Sequence, residues 1–206
     1  MIVATAPFKH AILHDYWSDD LLERVLAEFP AYSDSRWQRF ANEHENKLGG
    51  SDSMLGPAAW ELFDLLGEDA FLEQLAERFG IGEPLTLDAT GGGFHLIPPG
   101  GFLAAHVDFN QRAGLWRRLT LIIFLNRGWS PADGGELVLG ADRDVVVAPT
   151  WNTTVVFETF DQSWHGHPAP TADTFWRRSF AAYFYSEEPP PLAAGKHSTV
   201  WLESAA

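Results

Sequence analysis

The segment Phe94-His-Leu-Ile-Pro-Pro-Gly-Gly-Phe-Leu-Ala-Ala-His-Val-Asp108 consists of two apolar runs joined by a Pro-Pro-Gly-Gly turn. Because Pro and Gly interrupt strands and form turns, it predicts one strand over residues 93–97 and another over 104–108. Alternate side chains of a strand lie on the same face. His106 and Asp108 are therefore expected to project together, while the valine between them points the other way.

The same pattern extends over the chain from residue 85 to residue 185. Short β-branched and aromatic runs alternate there with Gly, Pro, Asn and Asp, and no helical pattern intervenes. Such a pattern predicts an antiparallel sandwich or barrel. The remaining strands are predicted at residues 85–88, 119–125, 136–139, 144–148, 153–157 and 176–185.

The first third of the chain is predicted to be helical. Ser18 is a favourable N-cap followed by two aspartates, and apolar residues then recur at helical spacing until Pro30. Two further amphipathic stretches begin at Pro57 and Asp69, and the second is expected to end at Gly80.

The chain is predicted to form one domain of the α+β class with a mainly β core, since it contains no repeat and no linker. Within its first part, the polar residues 32–53 are predicted as a loop with a short strand near 37–40. The domain, residues 1–206, is divided into a helical flank (1–84), a core (85–188) and a C-terminal surface extension (189–206).

A second group of imidazoles, in Ser163-Trp-His165-Gly-His167-Pro168, precedes the last long predicted strand. The chain has no cysteine, so any metal must be held by His, Asp or Glu. Two His and one carboxylate on one face of a metal form the facial triad of non-heme Fe(II) oxygenases. An H-x-D pair alone is frequent by chance, and the assignment depends on its combination with a later His and a later Arg.

Five segments together form a pattern that none of them forms alone: Asp15-Tyr-Trp-Ser-Asp-Asp-Leu-Leu22, Phe94 to Asp108, Arg118 to Asn126 with Asp133-Gly-Gly-Glu-Leu137, Ser163 to Pro168, and Arg177-Arg-Ser-Phe-Ala-Ala-Tyr183. In their order and spacing the chain resembles the 2-oxoglutarate- and Fe(II)-dependent dioxygenases, in particular their prolyl-4-hydroxylase-like branch.

The resemblance implies a double-stranded β-helix (jelly roll) with flanking N-terminal helices, and it implies His106, Asp108 and His165 as iron ligands. It also implies Fe(II), with 2-oxoglutarate and O2 as cosubstrates and ascorbate as an optional addition. In that family, decarboxylation of 2-oxoglutarate to succinate and CO2 drives hydroxylation of an unactivated C–H bond. An Arg or Lys holds the far carboxylate of 2-oxoglutarate, which a guanidinium can bind with two hydrogen bonds.

Two of these assignments have close competitors. His165 is favoured over His167 as the distal ligand, because the family pattern places the ligand directly after an aromatic residue. His167 is then expected to lie beside the metal site or to contact substrate. Arg177 is favoured over Arg178 as the 2-oxoglutarate anchor, because it stands two residues before a small residue, Ser179.

The segment that precedes the His106-x-Asp108 pair differs from the family pattern at one position. Many relatives have a Tyr there that binds 2-oxoglutarate, whereas this chain has Ile97. Thr120 or His95 is expected to supply the missing contact, the alternative being that these two side chains only pack or cap. Asp108 itself argues against the halogenase variants, which need an open position for chloride.

The charge balance excludes several classes of partner. Lys and Arg number 14 against 28 Asp and Glu, a formal net charge of −14. Such a field repels phosphate groups, so neither nucleic acid nor an anionic membrane is expected as a partner. The first residues have no basic region and no sustained apolar run, which favours a cytoplasmic protein without a signal peptide.

The substrate is expected to be either a peptide or protein with a prolyl-like target or a small molecule such as an amino acid, a sugar or a natural-product intermediate. The oligomeric state also stays open. The alternative from another class of protein is a non-catalytic jelly-roll module that binds a metal or a ligand. A complete triad together with a candidate 2-oxoglutarate Arg argues against this alternative, because a binding module needs no such combination. Arg112, Arg117 and Arg118 form a basic group expected to meet an acidic substrate group or, for Arg118, to be structural.

Overall fold

The computed structural model describes residues 1–191 and 193–202. Its three α-helices are α1 (Asp19–Ala27), α2 (Pro57–Leu66) and α3 (Asp69–Phe79), close to the bounds predicted from the sequence. Ser18 precedes α1, but its side chain makes no capping hydrogen bond. α3 ends at Gly80, whose φ of 68° is left-handed and therefore favours glycine.

The described strands are antiparallel and form two sheets. The larger sheet has the order β1-β10-β7-β12-β4-β3-β2, with β6 paired to β7, and the smaller has the order β13-β5-β11-β8-β9. In chain order they are β1 (His10–His14), β2 (Gln38–Ala41), β3 (Asn46–Gly49), β4 (Thr86–Ile97), β5 (Leu103–Val107), β6 (Gln111–Arg112), β7 (Leu115–Phe124), β8 (Leu137–Leu139), β9 (Val145–Val147), β10 (Thr153–Glu158), β11 (His165–His167), β12 (Arg177–Ser186) and β13 (Val200–Trp201).

The two sheets form a double-stranded β-helix with helices on one side, which confirms the predicted fold class. Strand β12 shows how the layers are built, because its side chains alternate between two environments. Phe180, Ala182 and Phe184 pack in one cluster with residues of all three helices. The residues between them face a cavity between the sheets. Burial of each large apolar side chain contributes about 1.5–3 kcal/mol to stability.

The predicted division at residue 84 does not separate helices from strands. β1 pairs with β10, and the hairpin of β2 and β3 extends the larger sheet through β4. The hairpin lies at the end of the sheet, where exposed positions are polar, and this is why residues 32–53 have the composition of a loop. The strands predicted at 85–88 and 93–97 are one strand, β4.

The predicted C-terminal extension also contributes to the fold. β13 pairs with β5, where Val200 lies opposite Val107 and Trp201 opposite His106. A two-residue strand has too little pattern to be identified from sequence. Residues 192 and 203–206 of this predicted extension lie outside the described residues.

In the part of the chain that the structure describes, no helix is long and apolar enough to span a membrane.

Candidate active site

Three side chains from the smaller sheet converge on one point. His106 on β5 and His165 on β11 are directly paired across the two strands, and Asp108 follows β5 by one residue. The Nε2 atom of His106 lies 3.5 Å from Asp108 Oδ1, and the Nε2 atom of His165 lies 3.7 Å from Asp108 Oδ2. These separations are longer than hydrogen bonds, so the three groups surround a space instead of bonding to one another.

The two histidines are oriented by backbone carbonyl groups. The Nδ1–H of His106 donates to the Ala104 oxygen at 2.9 Å, and the Nδ1–H of His165 donates to the Ser163 oxygen at 2.9 Å. Because a carbonyl oxygen can only accept, each Nδ1 carries the proton and each Nε2 keeps a free lone pair. This is the tautomer that binds metals through Nε2.

The third group, Asp108, is held in its ionised form. Burial by itself raises the pKa of Asp108, but the charge of Arg117 and the rings of His106 and His165 outweigh it and hold that pKa well below its usual value. Burial is the main cause that lowers the pKa of His165 to about 4. At neutral pH the site thus presents a carboxylate and a neutral imidazole, the forms that coordinate a metal.

Arg117 fixes the orientation of Asp108. Its side chain is 1% exposed, its Nη1 donates to Asp108 Oδ2 at 2.8 Å, and its Nε and Nη2 donate to the Tyr185 hydroxyl. The guanidinium also lies over the rings of Phe109 and Tyr183, at 4.0 and 3.9 Å from their centroids. The sequence-based expectation that Arg117 meets an acidic substrate group is therefore wrong, because the group it pairs with is Asp108.

Replacing Arg117 with methionine is expected to lower the free energy of unfolding of the metal-free protein by about 3–5 kcal/mol, since it leaves a buried carboxylate unpaired. Metal affinity should fall about 10- to 100-fold, because Asp108 loses the partner that orients it. Chemical denaturation and titration with Mn(II) measure the two effects.

Arg112→Met is the matched control. The Arg112 Nε atom lies 3.1 Å from Asp88 Oδ2, but both side chains are about a third exposed. Loss of such a pair changes stability by about 1 kcal/mol or less. Equal effects of the two substitutions would show that the buried pair contributes no more than an exposed one.

A cavity of about 70 Å³ extends from the three converging groups into the space between the sheets. A cavity of this volume can hold several groups the size of a water molecule. The residues predicted to contact 2-oxoglutarate, His95, Thr120 and Arg177, all line it, as does His167. The structure thus brings every site residue predicted from the sequence to one place.

Arg177 is a buried cation at this cavity. It is 4% exposed, its Nε donates to the Gly135 oxygen at 2.7 Å, and it has no ion pair with any carboxylate of the described residues. Burial lowers the pKa of Arg177 to about 9, which leaves it charged at neutral pH. A buried charge is costly unless it is paired, so this position favours an anionic ligand. Arg178, by contrast, is half-buried outside the cavity and lies over the Phe29 ring.

The other two predicted cosubstrate contacts have protein partners already. The Thr120 hydroxyl donates to Asp108 Oδ2 at 3.4 Å and lies 3.1 Å from the Thr159 hydroxyl. His95 donates from its Nε2 to the Gly91 oxygen at 3.3 Å. Both residues line the cavity, and their contact with 2-oxoglutarate stays a prediction.

Sequence reasoning missed three polar residues that line the cavity. Ser179 and Tyr183 were detectable, since they follow Arg177 at even spacing along β12 and strand alternation places them on its face. Lys47 lies on β3, in the stretch predicted as loop, and no local signal marks it. The prediction that Arg118 is structural agrees with its contacts, an ion pair with Glu83 and a hydrogen bond to the Ser186 hydroxyl.

The donor set fits iron. Two imidazole nitrogens and one carboxylate oxygen on one side of a space, with a cavity on the other side, form the 2-His-1-carboxylate arrangement with open positions. No thiolate is present to favour a softer metal.

Comparison with known proteins agrees with this site. Residues 92–185, somewhat less than half of the chain, match the family model of the 2OG-Fe(II) oxygenase superfamily. The chain is accordingly an oxygenase that uses Fe(II), 2-oxoglutarate and O2. No protein in the curated set matches it by sequence.

Several solved structures share the fold. A Pseudomonas putida prolyl-4-hydroxylase is 22% identical, with a TM-score of 0.67 over 85% of this chain and 91% of that one. A Trichoplax adhaerens prolyl hydroxylase, solved in complex with a hypoxia inducible factor peptide fragment, is 18% identical, with a TM-score of 0.68 over 86% and 84%. A viral collagen prolyl hydroxylase from Paramecium Bursaria Chlorella virus-1 is 14% identical, with a TM-score of 0.61 over 86% and 96%.

Each group of residues in the site has its own chemical role. His106, Asp108 and His165 would hold Fe(II), which with 2-oxoglutarate and O2 supplies the oxidation of a C–H bond and yields succinate and CO2. The positive charge of Arg177 attracts an anionic group into the cavity. Ile97, Leu137 and the other apolar lining residues exclude water, which strengthens electrostatic contacts inside.

Proposed function

We propose that this oxygenase hydroxylates a peptide at a prolyl-like side chain. The observation that carries the proposal is a second cavity, of about 360 Å³, that opens from His106 and Asp108 to the surface. Gln38 and Phe40 of β2 line its mouth, and β2 is the last strand of the larger sheet. An edge strand offers free backbone N–H and C=O groups, with which an extended peptide can pair.

The walls of this cavity suit a compact apolar ring. Four aromatic residues, Phe40, Phe109, Tyr183 and Trp201, line it together with glycines of β3 and β4. The charged residues there are already paired, Lys47 with Glu45 at 3.0 Å and Arg112 with Asp88 at 3.1 Å. Aromatic faces bind apolar rings by packing, and paired charges provide little attraction for a strongly charged substrate.

The names of the structural relatives support a peptide substrate. They include prolyl hydroxylases, and the Trichoplax adhaerens protein was solved with a peptide fragment bound. These relatives share the fold, and the peptide assignment for this chain is carried by its own cavity and edge strand.

The iron-loaded protein is expected to convert 2-oxoglutarate to succinate slowly by itself and faster with a proline-containing peptide, because a bound substrate couples the oxidation to its own C–H bond. Succinate release and mass spectrometry of the peptide measure turnover and the gain of one oxygen. The same peptides with alanine in place of proline, and free proline, serve as controls. Stimulation by free amino acids, sugars or other small molecules, with no peptide active, would overturn the proposal.

A further inference from the structure

His167 has unsatisfied hydrogen-bonding capacity. Its side chain is 2% exposed, and neither ring nitrogen has a hydrogen-bond partner among the described residues. Buried polar groups in folded proteins are nearly always hydrogen-bonded, so each exception requires an explanation. His165, two residues earlier, is equally buried but donates to the Ser163 oxygen.

The position of His167 is determined by strand β11. The pairing of β11 with β5 shifts register between His165 and His167, and the side chains of both residues line the cavity. A Cβ on Gly166 would lie 2.8 Å from the carbonyl oxygens of both Leu103 and Ala104, and only glycine allows β11 to approach β5 this closely. The backbone that carries His167 is therefore held close to β5, and its side chain lines the cavity.

The cavity is lined by charged groups of both signs. Asp108 belongs to the three groups that converge on the metal position, and Arg177 and Lys47 are the two cations among the lining residues. Lys47 is paired with Glu45, but Arg177 has no carboxylate partner in the described chain. An unpaired guanidinium and an unpaired imidazole thus lie at the same cavity.

We propose that His167 donates a hydrogen bond to the far carboxylate of 2-oxoglutarate, beside Arg177, and so selects cosubstrates that end in a carboxylate. The guanidinium supplies charge and two donors, and the imidazole N–H supplies a third donor from the opposite sheet. The inference rests on the 2-oxoglutarate site described above and does not depend on the proposed peptide substrate.

The test uses Mn(II)-loaded protein without O2 and measures ligand dissociation constants by calorimetry. The two ligands are 2-oxoglutarate and 2-oxopentanoate, which has the same five-carbon 2-oxo acid chain but ends in a methyl group. His167→Leu should weaken binding of 2-oxoglutarate about 10- to 100-fold and leave 2-oxopentanoate binding unchanged, because only the first ligand loses a charged hydrogen bond. His167→Gln, which keeps an N–H donor, should recover part of the loss.

His10→Leu is the matched control. His10 is also buried and donates to a backbone oxygen, that of Phe8, but it lies on β1 away from the cavity. Its loss should leave the affinity for both ligands unchanged. His167→Ala repeats the test with a smaller side chain in case leucine disturbs packing.

An equal loss for both ligands, or no loss for either, would overturn the proposal. Loss of Mn(II) binding in His167→Leu and His167→Ala would also overturn it, because His167 would then act as a metal ligand. Failure of every peptide as a substrate, with the ligand discrimination intact, would overturn only the proposed function.

Discussion

His165→Ala is expected to abolish the weak visible charge-transfer band that Fe(II) and 2-oxoglutarate produce together under anaerobic conditions. The substitution removes one of the three groups that converge on the metal position, and alanine supplies no ligand in its place. Succinate formation should fall to the background rate for the same reason. Anaerobic titration followed by absorbance, with a parallel succinate assay, measures both.

His167→Ala is the comparison for this prediction. The structure places the Nε2 atom of His165 at 3.7 Å from Asp108 Oδ2 and pairs His165 with His106, whereas His167 lies opposite Leu103. The His167 variant should keep the band at saturating 2-oxoglutarate and lower turnover by about 10- to 100-fold at most, as neighbours of metal ligands usually do. The reverse pattern would transfer the ligand role to His167.

Arg177→Ala is expected to weaken 2-oxoglutarate binding by about 2–4 kcal/mol, roughly 30- to 1000-fold, and to leave metal binding intact. The guanidinium is buried without a carboxylate partner, so its removal would leave the far carboxylate of the ligand without a cation in a site shielded from water. The dissociation constant of 2-oxoglutarate in the Mn(II)-loaded protein gives the magnitude.

Two further variants test whether the charge of Arg177, its hydrogen-bonding geometry or its position on β12 accounts for the effect. Arg177→Lys should recover part of the loss, because lysine keeps the charge but not the two-pronged hydrogen bond. Arg178→Ala should have little effect on the ligand, since this neighbour is half-buried outside the cavity and contacts the Phe29 ring. A large defect in Arg178→Ala beside a nearly normal Arg177→Ala would mean that the assigned inner face of β12 is wrong.

Features that depend on neighbours in sequence could be predicted. The bounds of α1, α2 and α3 follow from apolar spacing, proline and glycine, all of which act within one or two helical turns. The common face of His106 and Asp108 follows from strand alternation over three residues. The fold class follows from the spacing of many short strands, and it survives errors in single strands.

The short strands β3 and β13 could not be predicted, because they have neither a continuous apolar run nor a clear alternation. The short strand predicted near 37–40 is β2, but its partner β3 lies in the part that was predicted as a loop, so Lys47 was not associated with the site. β13 has two residues, and its effect is to place Trp201 beside His106 with a ring-centroid separation of 5.2 Å.

The sequence pattern by itself determined that this chain has a mainly β core of the sandwich or barrel type, with a His-x-Asp, a later pair of histidines and a later pair of arginines, and the family resemblance narrowed that core to a jelly roll. The physical reason is that strand period, helix period and turn chemistry are local properties of the chain. Only the tertiary structure decided that His165 lies opposite His106, that Arg117 pairs with Asp108, and that His167 and Arg177 line one cavity from opposite sheets. These relations depend on the register of β5 against β11 and on the packing of one sheet over the other, which no local pattern encodes.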